Sequence, residues 1–253
     1  MMVRKAVITS AGLGTRMKYI SNFIPKALLP VFSKEDEGVR MRPLVDVIMG
    51  SLQKAGISDF CFVIDSRSKM LKDYFAEKAV SFVMQDEPKG FGDAILKAEG
   101  FVGSEPFFVN ANDSVLTGCY EEGARFFDER KPAALLFLKH MKDTSRYGVV
   151  TGKDTEPYLG HNVIRVDGAE EKPKAPKSDL CICATYIFTN EIFVKLKQIK
   201  SEGELQLTSG IQKLIDDGLD VYGMILENEK DLDIGNPDSY FSTLEYTYRL
   251  QKG

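Results

Sequence analysis

Histidine is scarce in this chain, and that scarcity excludes a common kind of active site. Only His140 and His161 occur among 253 residues, and their spacing does not suit joint binding of a metal ion. A Ser-His-Asp triad needs a histidine that takes a proton from the nucleophile, so we do not expect one here. Other side chains are therefore expected to carry any chemistry.

Cysteines are few as well, and none of them forms a CxxC pair. Two of the four alternate within an apolar run and would share one face of a strand. This pattern favours buried free thiols in a reducing compartment over a metal site or a disulfide framework. The cysteines are Cys61, Cys119, Cys181 and Cys183.

Long apolar runs and a surplus of positive charge are also missing. No run approaches the roughly 20 residues of a membrane-spanning helix. Arg4 and Lys5 lead directly into a short strand-like segment, so we expect no secretory signal. The net charge of −4 argues against nucleic acid as a partner, because nucleic-acid-binding domains usually carry a basic surplus. We expect a cytoplasmic protein that binds neither membranes nor nucleic acid.

Short apolar runs alternate with amphipathic segments through the first part of the chain. The strand-like runs are AVIT (6–9), DFCFVID (59–65), VSFVMQ (80–85), PFFVNAND (106–113) and AALLFLKH (133–140). Between them, apolar residues recur at helical spacing over 42–57, 69–78, 90–102 and 120–130. This alternation is typical of βαβ units and predicts an α/β fold with a Rossmann-like, mixed but mostly parallel sheet flanked by helices.

After about residue 141 the alternation becomes less regular. YGVVTG (147–152) and HNVIRVDG (161–168) resemble strands around a turn, and the polar segments 33–42 and 170–179 resemble loops. Further strands are predicted at 179–189 and 221–227, and helices at 190–200, at 207–218 and from Pro237 onward. We expect one domain over residues 1–253, in which 1–140 is the nucleotide-binding half and 141–253 forms a small β-rich extension.

The segment SAGLGTRMKYISNFIPKALLPV (10–31) follows the first strand directly. Gly12 and Gly14 could bring bare backbone N–H groups close to an anion, and Arg16 offers a planar fork of donors to phosphate oxygens. The P-loop sequence is absent, and Met17 stands where a dinucleotide fingerprint has its third glycine. On these residues alone, a phosphate site and a simple tight turn are both open.

Two further segments allow a functional and a structural interpretation. In IPKALLP (24–30), Lys26 is either a surface lysine or a point charge held over a phosphate by a rigid chain. In QDEPKGFGDAI (85–95), Gln85 ends a strand and Gly90 begins a Gly-x-Gly turn before a helix. An amide beside exposed backbone groups suits the edge of a nucleobase, although an ordinary loop would have the same residues.

Two distant aspartates, Asp113 in NAND and Asp233 in LDIGN, each follow an apolar run. Ligands of open α/β sheets collect at the carboxyl ends of strands. Carboxylates there can hold Mg²⁺, which takes few protein ligands and the rest from phosphates and water. Each aspartate could also be a solvated loop residue.

Taken in order, these segments resemble the sugar-1-phosphate nucleotidyltransferases, most closely the UTP–glucose-1-phosphate uridylyltransferase branch and its archaeal subgroup. The resemblance covers nearly the whole chain and implies a nucleotide-diphospho-sugar transferase fold whose β-rich extension binds the sugar phosphate. The matching segments are AGLGTR (11–16), PKALLPV (25–31), QDEPKGFGDAI (85–95), NAND (110–113), YGVV (147–150), EEKP (170–173), ELQLT (204–208) and DIGN (233–236).

In this family a phosphate oxygen of a sugar 1-phosphate attacks the α-phosphorus of a nucleoside triphosphate, and pyrophosphate leaves. That nucleophile is already anionic, so the reaction needs no general base and tolerates the scarcity of histidine. The resemblance implies UTP and glucose 1-phosphate as small-molecule substrates, Mg²⁺ as the cofactor and a homo-oligomeric state.

The resemblance also assigns residues to three groups. The catalytic group would hold the triphosphate, neutralise charge at the α-phosphate, grip the sugar phosphate and bind the metal; it is Arg16, Lys26, Asp113, Lys172 and Asp233, with Mg²⁺ on Asp113 and Asp233. The nucleotide-binding group is Ala11, Gly12, Gly14, Gln85 and Gly90. The sugar-binding group is Gly148, Glu171 and Glu204.

Three positions depart from the family pattern, and other functions stay open. Asn112 precedes the metal aspartate where glycine or aspartate is frequent, and Ala184 and Thr185 replace a common Gly-Arg pair at the floor of the sugar pocket. A thymidylyltransferase using dTTP is the nearest alternative, because a methyl group at C5 is worth only about 1–3 kcal/mol of discrimination. A non-catalytic nucleotide-sugar sensor is a second alternative, and a Rossmann-type oxidoreductase is a more distant third.

Overall fold

A nine-stranded sheet runs through the protein, which we describe from a computed structural model over residues 2–12, 14–35, 38–201 and 203–252. The strands are β1 (Lys5–Thr9), β2 (Pro30–Glu35), β3 (Gly38–Pro43), β4 (Asp59–Ile64), β5 (Ser81–Met84), β6 (Phe107–Ala111), β7 (Ser114–Leu116), β8 (Ala134–His140), β9 (Gly148–Tyr158), β10 (His161–Glu171), β11 (Leu180–Phe188), β12 (Val221–Ile225) and β13 (Asp231–Asp233). The α-helices are α1 (Leu44–Lys54), α2 (Lys69–Tyr74), α3 (Phe91–Lys97), α4 (Glu99–Val102), α5 (Tyr120–Arg130), α6 (Glu191–Gln198), α7 (Leu207–Asp216) and α8 (Pro237–Lys252), and 3-10 helices span Thr15–Asn22 and Lys26–Leu28.

The strand order of the large sheet is β5-β4-β1-β6-β11-β8-β12-β10-β9. Strands β5, β4, β1 and β6 are parallel neighbours, which confirms the βαβ pattern of the first part of the chain. Only β11 and β10 run opposite to the other strands of this sheet. The predicted sheet, mixed but mostly parallel and flanked by helices, is therefore confirmed.

Helices cover both faces of the sheet, so its central strands are buried on both sides. In β1, Ala6 and Ile8 face one hydrophobic core and Val7 faces the other, as the two-residue period of a strand requires. Helices α1, α2 and α5 pack on the first face, and α3, α6 and α7 pack on the second. The four cysteines are buried and unpaired, and burial raises the pKa of the Cys61 thiol to about 12.

The segment predicted as a loop over 33–42 is instead part of the antiparallel hairpin β2–β3; residues 36–37 of it lie outside the described residues. In the structure this hairpin packs against α8. The rings of Phe32 and Tyr248 meet edge to face with their centroids 4.9 Å apart, and the Phe32 N–H donates to Thr247 Oγ1 at 3.3 Å. Nothing in the polar sequence of the hairpin indicates these contacts.

Two helical predictions also end differently. The helix predicted over 90–102 divides at Ala98 into α3 and α4, and the helix predicted over 69–78 ends at Tyr74. The loop predicted over 170–179 begins two residues later in the structure, because Glu170 and Glu171 still belong to β10. None of the helices in the described part of the chain is both long and apolar enough to cross a bilayer.

A second, two-stranded sheet positions the polar residues near the large one. Strands β7 and β13 pair antiparallel, and Asp233 lies opposite Ser114. The backbone N–H of Ile234 also donates to the carbonyl of Asp113 at 2.8 Å. The two distant aspartates are therefore brought to neighbouring positions by backbone pairing.

Candidate active site

One large cleft, with a volume of about 1110 Å³, lies at the ends of β1 and β6 and extends toward β10 and α8. All thirteen residues assigned from the sequence line it. They are Ala11, Gly12, Gly14, Arg16, Lys26, Gln85, Gly90, Asp113, Gly148, Glu171, Lys172, Glu204 and Asp233. Segments separated by more than 200 residues in sequence thus meet on one surface.

The turn after β1 uses glycine where a side chain would not fit. Gly14 has φ +62°, and a Cβ there would lie 3.0 Å from the Cβ of Ser21, whose hydroxyl donates to the Gly14 carbonyl at 2.9 Å. Arg16 is exposed and reaches toward Gly235, where an added Cβ would lie 3.3 Å from Arg16 Nη2. The guanidinium therefore faces the same part of the cleft as the DIGN segment.

Lys26 is a buried lysine and not the surface lysine that its sequence context also allowed. Its side chain is 9% exposed, and its Nζ lies 2.7 Å from Asp113 Oδ2 and 3.3 Å from the Gly235 carbonyl. These two acceptors hold the ammonium group between the Asp113 and Asp233 segments. A phosphate that enters the cleft here would meet a positioned cation.

Asp113 and Asp233 each keep one carboxylate oxygen that accepts no hydrogen bond from a described residue. Asp113 uses Oδ2 for Lys26, and Asp233 uses Oδ1 for the Gly235 N–H and for Ser239 Oγ at 2.8 Å. Within the described residues no three His, Cys, Asp or Glu side chains cluster around a possible metal position. The two carboxylates fit Mg²⁺, which binds proteins through one or two carboxylates and completes its shell with phosphates and water.

Lys139 and Asp231 form a buried ion pair in the cleft that was not predicted from the sequence. Lys139 Nζ lies 2.5 Å from Asp231 Oδ2, and Ser114 Oγ donates to the other carboxylate oxygen. Burial raises the pKa of Asp231 against the opposing effect of Lys139. Burial alone would lower the pKa of Lys139, but the attraction of Asp231 raises it overall. In the sequence, the only hint of this ion pair is a lysine near the end of an otherwise apolar strand.

The departures at Ala184 and Thr185 have different structural consequences. Ala184 lines the cleft at an irregularity of β11 and has φ +53°, a conformation that glycine adopts at lower cost. Thr185 is fully buried, and its hydroxyl donates to Asn110 Oδ1 at 3.1 Å. Its side chain therefore supports the strand before Asp113 and does not form part of the cleft wall.

The loop after β5 holds Gln85 and Gly90 together. Gln85 is 4% exposed, and its Nε2 donates to the Gly90 carbonyl at 3.1 Å and to Asp93 Oδ2 at 2.8 Å. Backbone hydrogen bonds from Leu205 N to the Lys89 carbonyl (2.7 Å) and from Gly92 N to the Leu205 carbonyl (2.8 Å) join this loop to the ELQLT segment. The loop after β5 and the ELQLT segment are therefore connected through their backbones.

Gly90→Ala should destabilise the protein, because Gly90 has φ +101° and a Cβ there would lie 2.6 Å from the Leu205 carbonyl oxygen. The backbone conformation alone costs about 1–3 kcal/mol for a residue other than glycine. Urea unfolding measures the change. Gly50→Ala is the matched control, since Gly50 lies inside α1 with open space around it and should gain up to about 1 kcal/mol. If Gly90→Ala were as stable as the wild type, the expected clash of its Cβ with the Leu205 carbonyl oxygen would be contradicted.

Two of the three residues predicted to bind the sugar, Gly148 and Glu171, lie close together with Lys172 and Thr208. Glu171 Oε2 accepts from Thr208 Oγ1 at 2.6 Å, and Glu171 Oε1 lies 3.0 Å from Lys172 Nζ. A Cβ on Gly148 would lie 2.9 Å from Thr208 Oγ1, so this position requires a glycine unless Thr208 moves. Glu204 lies apart from this group; it is exposed and accepts from Gln206 Nε2 at 3.0 Å.

Comparison with known proteins agrees with this arrangement. Residues 5–248 match the sequence profile of the nucleotidyl transferase family. The chain belongs to that family. The cleft, where cations and carboxylates meet, fits the small-molecule nucleotide and sugar phosphate substrates of such a nucleotidyltransferase.

Individual relatives extend this comparison. The chain is 29% identical to a putative UTP–glucose-1-phosphate uridylyltransferase of Bacillus subtilis over 99% of both chains. It is 31% identical to a glucose-1-phosphate thymidylyltransferase of Streptomyces antibioticus, over 88% of this chain and 60% of that relative. A crystal structure of UDP-glucose pyrophosphorylase complexed with UDP-glucose superposes with a TM-score of 0.85 at 24% identity, over 98% of this chain and 100% of that one. That likeness establishes the fold of this nucleotidyltransferase.

Proposed function

We propose that this chain transfers a uridylyl group from UTP to glucose 1-phosphate and releases UDP-glucose and pyrophosphate. The observation that carries the proposal is the cleft itself, in which a glycine turn, buried Lys26, two carboxylates and a base-side amide lie on one surface. The Bacillus subtilis relative named a putative UTP–glucose-1-phosphate uridylyltransferase matches over almost the whole chain and supports this choice of substrates.

In the proposed reaction a phosphate oxygen of glucose 1-phosphate attacks the α-phosphorus of UTP. The bond from that phosphorus to the bridging oxygen breaks, and pyrophosphate leaves with the electron pair. Lys26 would neutralise charge at the α-phosphate, and Arg16 with the backbone of Gly12 and Gly14 would bind the leaving phosphates. Lys172 would hold the sugar phosphate, and Glu171 would contact sugar hydroxyls.

Two polyanions must approach each other in this reaction, so positioning and positive charge are the main catalytic effects. Asp113 and Asp233 would hold Mg²⁺, which when bound supplies further positive charge to the phosphate oxygens. The proposed division of labour places the nucleotide on residues 1–140 and the sugar phosphate on residues 141–253.

A homo-oligomeric state and a cytoplasmic location stay predictions. Sedimentation velocity would measure the oligomeric state.

The base preference is open to a direct test, because a thymidylyltransferase is also among the relatives. We expect pyrophosphorolysis of UDP-glucose to exceed that of dTDP-glucose in kcat/KM. The C5 methyl group alone should account for about 10–200-fold, and dTDP-glucose also lacks the 2′-hydroxyl of UDP-glucose. A panel of UDP- and dTDP-sugars, with UDP-galactose as the control for the sugar, measures both preferences. Preference for the dTDP-sugars would contradict the proposed nucleotide.

A non-catalytic sensor would behave differently in the same assay. It would bind UTP or UDP-glucose, as measured by calorimetry, without turnover of any of the four nucleoside triphosphates with several sugar phosphates. That result would contradict the proposed transferase. The positions of Lys26 and Asp113, whose charged groups lie 2.7 Å apart in the cleft, favour the transferase.

A further inference from the structure

The side-chain amide of Gln85 has a donor end and an acceptor end, and its neighbours decide which end faces the cleft. Its NH₂ group meets two acceptors, the Gly90 carbonyl at 3.1 Å and Asp93 Oδ2 at 2.8 Å. A carbonyl and a carboxylate can only accept hydrogen bonds. Turning the amide over would set its oxygen against both of them, so the observed orientation is strongly favoured.

We propose that Asp93 is a positioning residue that holds the Gln85 amide with its oxygen toward the base, so that the cleft selects a base with an N–H group at that point. This inference rests on the proposed function. Gln85 Oε1 accepts no hydrogen bond from a described residue, although the side chain lines the cleft and is only 4% exposed. That oxygen is therefore available to a ligand.

The edge of uracil or thymine identifies the group that meets this oxygen. It carries one donor, the N3–H, between two carbonyl acceptors, so a hydrogen-bond acceptor in the protein must meet N3–H. Cytosine has an unprotonated N3 at the same position. Two acceptors would then face each other, and a buried polar group would be left unpaired, which costs affinity. The orientation of the amide thus distinguishes UTP from CTP.

Asp93 itself is well placed for this role. It lies in the first turn of α3, and its side chain is 15% exposed. Its other carboxylate oxygen lies 3.6 Å from Lys97 Nζ, so one oxygen is left for Gln85. Gly90 is the residue that precedes α3, so both acceptors of the Gln85 amide belong to the start of one helix.

The test compares UTP and CTP in three variants. Asp93→Leu removes one acceptor, and we expect the ratio of kcat/KM for UTP over CTP to fall at least about tenfold. Asp93→Asn keeps an acceptor oxygen and should retain most of the ratio. Lys97→Met is the matched control on the same helix and should leave the ratio unchanged. Thermal unfolding verifies that each variant is folded.

A purely structural role would lower kcat/KM for both nucleotides together, and an unchanged ratio in folded Asp93→Leu would overturn the proposal. Use of N3-methyl-UTP by the wild type as readily as UTP would also overturn it. Calorimetric Kd values for UTP and CTP, measured for the wild type and for Asp93→Leu, give a second selectivity ratio that does not depend on turnover. If the wild type is inactive but prefers UTP in binding, and Asp93→Leu loses that preference, the proposed function is contradicted and the role of Asp93 is supported.

Discussion

Lys26→Met is expected to lower kcat by about 10²–10³-fold, the range found when one preorganised donor to a developing charge is removed. The Lys26 side chain is 9% exposed, and its ammonium group is held by Asp113 and the Gly235 carbonyl, so its position in the cleft is fixed before a ligand binds. Methionine preserves most of the side-chain volume and removes the charge. Steady-state kinetics with UTP and glucose 1-phosphate measure the change.

Lys69→Met is the control for this experiment, because Lys69 is exposed at the start of α2 and the same substitution there should leave kcat unchanged. Asp113 is 22% exposed, so solvent can reach the carboxylate that loses its partner and the fold should persist. A rise in KM with an unchanged kcat would contradict the role, since it would place Lys26 in ground-state binding alone.

The parallel half of the fold could be predicted because most of its strands are buried on both faces. A buried strand appears in the sequence as a short solid apolar run, as in β1, β4 and β6, and the helices between them keep their 3.6-residue period. The hairpin β2–β3 could not be predicted in this way. Polar residues interrupt its short apolar stretches, and its pairing is accompanied by contacts with α8, more than 200 residues later.

Some features of the candidate site could likewise be predicted from the sequence, and others could not. Motif residues such as Gly14, Lys26 and Asp113 allowed two interpretations each, and they could be selected because their segments, taken in order, resemble those of a known family. The pairing that joins Asp113 to Asp233 could not, since β7 and β13 have three residues each and lie more than 100 residues apart. Contacts of that range depend on the complete fold.

Lys139→Met is expected to lower the free energy of unfolding by about 3–5 kcal/mol, the cost of leaving one charge of a buried pair without its partner. The Asp231 side chain is 6% exposed, and among the described residues it would keep only the Ser114 hydroxyl as a hydrogen-bond donor. Urea unfolding at pH 7 measures the loss. Lys197→Met is the matched control, because its pair with Glu99 is about half exposed and should contribute at most about 1 kcal/mol.

The pH dependence of the Lys139→Met variant provides a second test of the buried charge. Burial raises the pKa of Asp231 in the folded state, and loss of Lys139 removes the effect that opposes this shift. The folded variant then binds a proton more readily than the unfolded chain, so its stability relative to the wild type should rise as the pH falls through the raised pKa of the folded state toward the ordinary aspartate pKa of the unfolded chain. Lys139→Met/Asp231→Asn removes both charges of the pair, keeps an acceptor for Ser114, and should recover most of the lost stability at pH 7. If the double variant is as unstable as Lys139→Met, lost packing around the lysine and not an unpaired carboxylate is the cause.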